Sequence, residues 1–350
     1  MKRIFFLLFF SLLIIVQVAW AGRAKLDTIS RDPYISALVV DADTGKILLD
    51  DNSAAVVYPA SVLKLMDLLI ILEHIDRGTL RLEDMVQVTR EAAKMGGSQV
   101  YLDPKEQFSV EDLLYALTVQ SANDAAVALA SHVAGSKAEF VSLMNKRAEE
   151  LGMKNTHFYS VHGLPPSEGQ KPDQTTARDL AILARELAGK PEVFKYTNTR
   201  ERGFRDGKFI MRTHNHLLTR VDGCDGFKTG YFKAAGFSIV ATAQKGGVRI
   251  IAIVLGSMDR NIRDTKATEL LAKGFALVPA RPIAKTVETE TITDQVKQAV
   301  EPVVKKEETT SSPTSGWKMF FLGLGSGLLI LGVLAIYLSR KRPKKYLRNF

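Results

Sequence analysis

The sequence is poor in cysteine, with one among 350 residues, and it has no cluster of cysteines and histidines at metal-ligand spacing. Cys224 alone cannot form an internal disulfide, and a chain of this length can bury a core large enough to fold without one. The nearest candidate for a metal motif is His214-Asn215-His216, but two histidines at this spacing are more typical of a hydrogen-bonded loop.

The chain also lacks an excess of charge in its central part, although its formal net charge is +9. Two of these positive charges belong to the N-terminal segment and six to the tail after Leu338, which leaves about +1 for residues 22–338. Nucleic-acid binding requires a basic surface, and it is therefore not expected.

Both ends of the chain have the composition of membrane-targeting segments. Lys2-Arg3, the apolar run 4–16 and Ala19-Trp20-Ala21 match a signal peptide cleaved after Ala21, with an uncleaved anchor as the alternative. Residues 319–338 are apolar and would span about 30 Å as a helix, and the basic flank that follows favours a cytoplasmic tail. The predicted location is the cell membrane, with a single C-terminal span and the bulk of the chain on the extracytoplasmic (periplasmic) side. The predicted organisation is a signal peptide (1–21), a folded domain (22–278), a flexible tether (279–316), a transmembrane helix (317–338) and a basic cytoplasmic tail (339–350).

The pattern of apolar residues predicts an α+β domain, because strands are expected only near its two ends. Hairpins are predicted from strands 35–40 with 46–49 and from strands 237–243 with 248–255. Helices are predicted from Ser61 onwards and over residues 109–120, 125–134, 137–151, 176–187 and 264–275. This order favours one antiparallel sheet built from both chain ends, with an inserted helical region.

Ser61 and Lys64 form the first candidate site, at the start of an apolar run that predicts a buried helix. Residues three apart on a helix share one face, so the lysine amine would lie near the serine hydroxyl. Burial lowers the pKa of a lysine, and a neutral amine can accept a proton from serine. The pattern alone is weak, because Ser315 and Lys318 repeat it by chance.

Two further segments strengthen this interpretation. Ser121 and Asn123 lie between two predicted helices and offer a hydroxyl and an amide. Lys228-Thr229-Gly230 precedes the second hairpin and offers a cation, a hydroxyl and a residue that lets a substrate approach the backbone. Each segment alone could be an ordinary turn, but the three in this order are far less expected by chance.

Together these segments resemble the low-molecular-mass D-alanyl-D-alanine carboxypeptidases of the penicillin-binding protein 5 type, peptidase family S11. The resemblance covers about residues 35–275 and does not extend to the C-terminal β domain that many members carry. It implies the DD-peptidase/β-lactamase-like fold. Further matching segments are Pro59-Ala60-Ser61, Asn155-Thr156-His157-Phe158, His162-Gly163-Leu164, Thr175 to Leu180 and Asp225-Gly226-Phe227.

The resemblance implies a serine peptidase that removes the terminal D-alanine from peptidoglycan stem peptides. Ser61 would form the acyl-enzyme and Lys64 would be its general base. Ser121 and Lys228 would relay the proton to the leaving D-alanine, and Asn123 would hold the substrate amide. β-Lactam antibiotics would acylate the same serine, and neither a cofactor nor a metal is implied.

The resemblance also assigns the groups that bind the substrate. The backbone N–H groups of Ser61 and Tyr231 would form the oxyanion hole. Thr229 would bind the terminal carboxylate beside Gly230, and Arg263 falls where the family has a carboxylate-binding arginine. His157 and His162 are interpreted as structural, because the base is already supplied.

Three alternatives remain open on the sequence. A DD-endopeptidase that cuts peptidoglycan crosslinks would share the same site. A β-lactamase is disfavoured, because no Glu-x-x-Leu-Asn segment is found. An inactive penicillin-sensing or wall-binding homologue would be expected to lack one of the catalytic residues, and none is missing here.

Overall fold

A computed structural model describes residues 23–281 of the chain. The predicted signal peptide, the transmembrane helix, the basic tail and all but the first residues of the tether lie outside this range. Within residues 23–281, none of the helices combines the length and the hydropathy that crossing a bilayer requires. The membrane topology therefore stays a prediction.

Five antiparallel strands from the two ends of the described chain form one sheet, in the order β2-β1-β9-β8-β7. Its strands are β1 (Ser36–Asp41), β2 (Ile47–Asp51), β7 (Cys224–Phe232), β8 (Gly236–Lys245) and β9 (Val248–Ser257). The first and last segments meet where β1 pairs with β9, with Val39 opposite Ala252. This confirms the predicted α+β sheet and both predicted hairpins.

Helices fill the sequence between the two halves of the sheet, and one more follows the sheet. They are α1 (Lys64–Asp76), α2 (Arg90–Ala93), α3 (Val110–Thr118), α4 (Asn123–Ala134), α5 (Lys137–Leu151), α6 (Ala177–Ala188), α7 (Val193–Thr197), α8 (Leu217–Arg220) and α9 (Arg260–Leu277). Two small two-stranded sheets that the sequence analysis did not predict pair β3 (Met85–Gln87) with β4 (Gln107–Ser109) and β5 (Glu201–Phe204) with β6 (Phe209–Arg212).

Side-chain caps explain where several helices begin. The hydroxyl of Ser109 accepts a hydrogen bond from the Asp112 amide at 3.0 Å, and Thr176 caps α6 in the same way. Asp259 caps α9 through the amides of Asn261 and Ile262, so this helix starts four residues earlier than predicted. The prediction missed this cap because it looked for the apolar pattern, which begins later.

Helix α1 lies at the centre of the domain, and its residues 64–72 are all buried. Apolar side chains of α1 pack between the other helices and one face of the sheet. On the opposite face, a second apolar cluster joins β8 and β9 to α9. β9 is buried along its whole length because its side chains alternate between the two clusters. The core therefore fixes α1 and the central strands against each other.

Candidate active site

Ser61 lies on a short 3₁₀ turn (60–63) directly before α1, and Lys64 is the first residue of that helix. The sequence analysis placed Ser61 on the α-helix itself, which is wrong by one turn. The predicted contact is present, with the Lys64 Nζ atom 3.0 Å from the Ser61 Oγ atom. Ala60 has a positive φ of 47°, so the turn leaves the helical path just before the nucleophile.

Three groups surround the Lys64 amine. Besides the Ser61 hydroxyl, they are the Oδ1 atom of Asn123 at 2.8 Å and the carbonyl oxygen of His162 at 2.9 Å. The latter two oxygens can only accept hydrogen bonds. A neutral lysine amine has two N–H groups, which these oxygens occupy. Its lone pair is then directed at the Ser61 hydroxyl, which is the geometry of a general base.

Burial allows a substantial fraction of the Lys64 amine to be uncharged near pH 7. Lys64 is 1% exposed. Its burial lowers the pKa of Lys64 from 10.5 to about 7, against the opposing effect of the nearby carboxyls of Asp67, Asp124 and Asp173. Burial also raises the pKa of Asp67 well above its usual range, and neither oxygen of its carboxyl has a hydrogen-bond partner in the described structure. The dominant effect on Lys64 is therefore desolvation.

Asn123 is held in a fixed orientation beside the base. Its Nδ2 atom donates to the carbonyl oxygen of Gly96 at 2.7 Å, while its Oδ1 atom accepts from Lys64. One N–H of the amide group remains for a substrate carbonyl. Ser121 lies on the turn between α3 and α4 with a φ of 59°, a strained conformation of the kind found at functional sites.

Strand β7 carries the remaining predicted residues. A Cβ atom at Gly230 would lie 3.0 Å from the Ser61 amide nitrogen and 2.7 Å from the Pro59 carbonyl oxygen. Only glycine lets β7 approach the 3₁₀ turn that carries Ser61 this closely. Thr229 is buried beside it, and Tyr231 is 53% exposed, with its ring stacked on Phe237.

Lys228 is buried beneath the pocket, and its Nζ atom donates to the Thr229 carbonyl oxygen at 3.0 Å. Burial lowers its pKa well below the usual range, with further effects from Lys64 and Arg263. In the described structure, no direct hydrogen bond joins Lys228 or Ser121 to Lys64. The proton relay through Ser121 and Lys228 therefore stays a prediction.

A cavity of about 350 Å³ opens over these groups. Seven of the predicted residues line it, whereas Lys64 and Lys228 lie below its surface. The seven are Ser61, Ser121, Asn123, Thr229, Gly230, Tyr231 and Arg263.

Arg263 reaches the cavity from the first turn of α9. Its guanidinium donates to the Asp264 carboxylate at 2.9 and 2.5 Å and to the Ser238 carbonyl oxygen at 3.4 Å. Arg260 also lines the cavity, although the sequence analysis did not single it out. A cation at this end of the pocket fits a substrate carboxylate, and the structure offers two candidates for it.

His214 and His216 also line the cavity, whereas the sequence analysis interpreted them as residues of a hydrogen-bonded loop. Burial lowers the pKa of His214 to about 4, so its ring is neutral at neutral pH. The Nδ1 atom of His216 lies 3.4 Å from the Asp264 carboxylate. The pair of histidines was visible in the sequence, but the fold had to bring their loop against β7, where the Asn215 side chain donates to the Gly226 carbonyl oxygen.

The other noted side chains do not supply a second nucleophile or a metal site. Burial raises the pKa of the Cys224 thiol to about 11, so the thiolate is disfavoured. His162 contacts the base through its backbone, and its ring is neutral because burial lowers its pKa to about 3. No group of three or more metal-ligating side chains occurs within residues 23–281.

The fold and the site together are those of a serine acyl-transfer enzyme, with the buried amine of Lys64 beside the hydroxyl of Ser61. Residues 29–259 match the family model described as D-alanyl-D-alanine carboxypeptidase, Peptidase S11. The chain belongs to this family, as the sequence motifs indicated.

The similarity to known proteins covers most of the described domain. The chain is 38% identical to D-alanyl-D-alanine carboxypeptidase DacF of Bacillus subtilis over 283 residues, which are 80% of this chain and 71% of the relative. Penicillin-binding protein 5 of Haemophilus influenzae superposes with a TM-score of 0.65 at 31% identity, covering 73% of each chain. Penicillin-binding protein D2 of Listeria monocytogenes, solved with ampicillin bound, superposes with a TM-score of 0.62 at 32% identity, covering 69% of this chain and 97% of that one.

Proposed function

We propose that this chain is a penicillin-binding serine D-alanyl-D-alanine carboxypeptidase that removes the terminal D-alanine from peptidoglycan stem peptides. One observation carries the proposal. The Lys64 Nζ atom lies 3.0 Å from the Ser61 Oγ atom, and its two other contacts, with Asn123 and His162, are to oxygens that can only accept hydrogen bonds.

The reaction follows from this arrangement. The Ser61 Oγ–H proton passes to the Lys64 Nζ atom while the oxygen attacks the carbonyl carbon between the two D-alanines. The amides of Ser61 and Tyr231 stabilise the resulting oxyanion. The C–N bond then breaks, and the proton on Lys64 passes through Ser121 and Lys228 to the amine of the leaving D-alanine, which makes Lys64 neutral again. Water hydrolyses the ester on Ser61 and releases the shortened peptide.

Three further residues hold the substrate in this geometry. The free N–H of Asn123 donates to the substrate carbonyl upstream of the scissile bond. Thr229 and Arg263 bind the terminal carboxylate, which explains a preference for the chain end. β-Lactams acylate Ser61 through the same steps, but their leaving amine stays tethered. The ampicillin-bound relative supports this expectation.

The experiment uses the full-length chain and its Ser61→Ala variant. Wild type should be labelled covalently by a fluorescent penicillin and should release D-alanine from a pentapeptide that ends in D-Ala-D-Ala. The variant should do neither. Absence of both activities in wild type would refute the proposal, and labelling of the variant would refute the choice of nucleophile. Faster cleavage of crosslinked dimers than of pentapeptides would favour an endopeptidase.

We further propose that the enzyme works on the extracytoplasmic face of the cell membrane, held there by residues 317–338. The apolar composition of 319–338 and the basic residues after it support this location. In spheroplasts, where the outer face of the cell membrane is accessible, an added protease should degrade the catalytic domain but spare a tag on the C-terminus. Loss of the tag under the same conditions would contradict this topology.

A further inference from the structure

A second cavity of about 280 Å³ lies beside the active-site pocket. The two cavities share Leu164 as a wall. Gly96 and His162 face the second cavity, while their neighbours Gly97 and Gly163 face the first. The segments 96–97 and 162–163 therefore separate the two cavities. A substrate peptide that left the first cavity across Leu164 would enter the second.

The second cavity is basic. Four cationic side chains line it, and Asp173 is its only carboxylate; the four are Arg23, Lys94, Lys137 and Lys171. Lys137 is paired with Glu91 at 2.5 Å. Arg23, Lys94 and Lys171 have no carboxylate within ion-pair distance among the described residues. These three cations are therefore available to a ligand.

Asp173 is one carboxylate against the three cations Arg23, Lys94 and Lys171, so it offsets only part of their charge. It is buried, and its carboxylate accepts hydrogen bonds from the amides of Tyr159 and Ser160 and from the Ser160 hydroxyl, at 2.6, 2.9 and 2.7 Å. After burial itself, the charges of Lys64, Lys137 and Arg23 help to lower the pKa of His162. The potential at this wall is thus positive.

The position of the cavity determines which part of a substrate would reach it. Thr229 and Arg263 take the terminal carboxylate at one end of the active-site pocket. Asn123 is held against Gly96, which belongs to the second cavity. A peptide that runs from Arg263 past Ser61 to Asn123 would continue across Leu164. The segment that arrives is the one upstream of the scissile bond.

We infer that this basic cavity binds a free carboxylate of the stem peptide, located upstream of the D-Ala-D-Ala bond, through Lys94, Lys171 and Arg23. The cavity makes the enzyme selective for acidic stem peptides over their amidated forms. This inference rests on the proposed function, because it requires a peptide bound in the active-site pocket.

The test uses two pentapeptides of equal length that end in D-Ala-D-Ala. One carries a D-isoglutamate carboxylate at its second residue, the other carries the carboxamide, and the third-residue side chain is neutral in both. The full-length chain is compared with the double variant Lys94→Gln/Lys171→Gln. A matched control, Lys46→Gln/Lys208→Gln, removes two exposed lysines outside both cavities.

Wild type should prefer the acidic peptide. In the Lys94→Gln/Lys171→Gln variant, kcat/KM for the acidic peptide should fall about five- to tenfold, chiefly through KM, as expected for two partly exposed ion pairs. The amidated peptide should change less than about twofold. Added salt should weaken the wild-type preference. The matched control should behave as wild type.

Equal losses on both peptides, or no loss on either, would overturn the inference. Labelling by fluorescent penicillin, which lacks the upstream residues, should stay at the wild-type rate and report that the variant is folded. If wild type cleaves both peptides equally well, the cavity inference fails and the proposed function stands. If wild type cleaves neither peptide, the proposed function fails, and the inference fails with it.

Discussion

The clearest consequence of the site is the pH dependence of acylation. Burial lowers the pKa of Lys64 to about 7, so about half of the molecules carry a neutral base at pH 7. Two pH units lower, only about one in a hundred does. If Lys64 is the base, the rate constant for acylation of Ser61 should fall about 50-fold between pH 7 and pH 5 and rise only about twofold above pH 7.

The sign of this effect follows from the contacts of the amine. The folded-state pKa of Lys64 is depressed, so the group takes up its proton as the pH falls through about 7. The ammonium has three N–H groups and no lone pair. It then donates to Ser61, where the neutral amine accepted. The nucleophile loses the acceptor for its proton, and acylation stops.

The assay measures the second-order rate constant for labelling by a fluorescent penicillin between pH 5 and pH 9. Samples are quenched in denaturant and read at one common pH, which removes the pH response of the dye. The Lys64→Arg variant keeps a cation that cannot act as a base, so it should not be labelled at any pH. Circular dichroism at pH 5 checks that wild type stays folded.

Two results would refute this reasoning. A labelling rate that is equal at pH 5 and pH 7 would show that Lys64 does not need to be neutral. A labelling rate that still rises about tenfold per pH unit up to pH 9 would place the pKa of the base near the ordinary lysine value of 10.5 and would show that burial does not tune it.

Three further variants distinguish effects on the chemistry of the site from effects on the stability of the fold. Asp67→Asn removes a carboxyl whose ionised form favours the Lys64 ammonium; because burial already disfavours that ionised form, the acid limb of labelling should move only slightly, to lower pH, and a shift upwards would contradict this. Gly163→Ala should destabilise the protein by about 1–3 kcal/mol in urea unfolding and slow labelling, because φ is +70° and a Cβ atom would lie 2.1 Å from the Ala60 carbonyl oxygen. Ser109→Ala should cost about 1 kcal/mol through its lost helix cap yet leave labelling unchanged; slower labelling would show that α3 helps to place the site.

The sequence predicted those elements whose signals are local. Helix α5 matches its prediction of 137–151 because the Ser136 side chain caps its first turn and Gly152 ends it with a φ of 78°. The second hairpin was equally clear, since Lys245-Gly246-Gly247 separates two β-branched runs. These signals need no knowledge of the rest of the fold.

The geometry of the site could not be read in the same way. The contact between Lys64 and Asn123 joins residues 59 positions apart, and only the packing of α1 against α4 creates it. The second fixed acceptor of Lys64 is the backbone carbonyl of His162, which no side-chain motif reveals. The 3₁₀ turn at Ser61 lies directly against β7 at Gly230, a contact between distant segments. The motifs predicted which residues meet, and the fold determined the distances and orientations at which they meet.

The substrate carboxylate has a further effect on the base. Lys64 and Lys228 share one buried region, and the charge of Lys64 lowers the pKa of Lys228. Two protons on this pair are therefore unfavourable. A carboxylate bound at Thr229 adds a negative charge that favours the ammonium form of the neighbouring Lys228. Once Lys228 is charged, it disfavours a proton on Lys64. We therefore expect a bound substrate to favour the ammonium form of Lys228, which serves the leaving group. It should also favour the neutral form of Lys64, which activates Ser61.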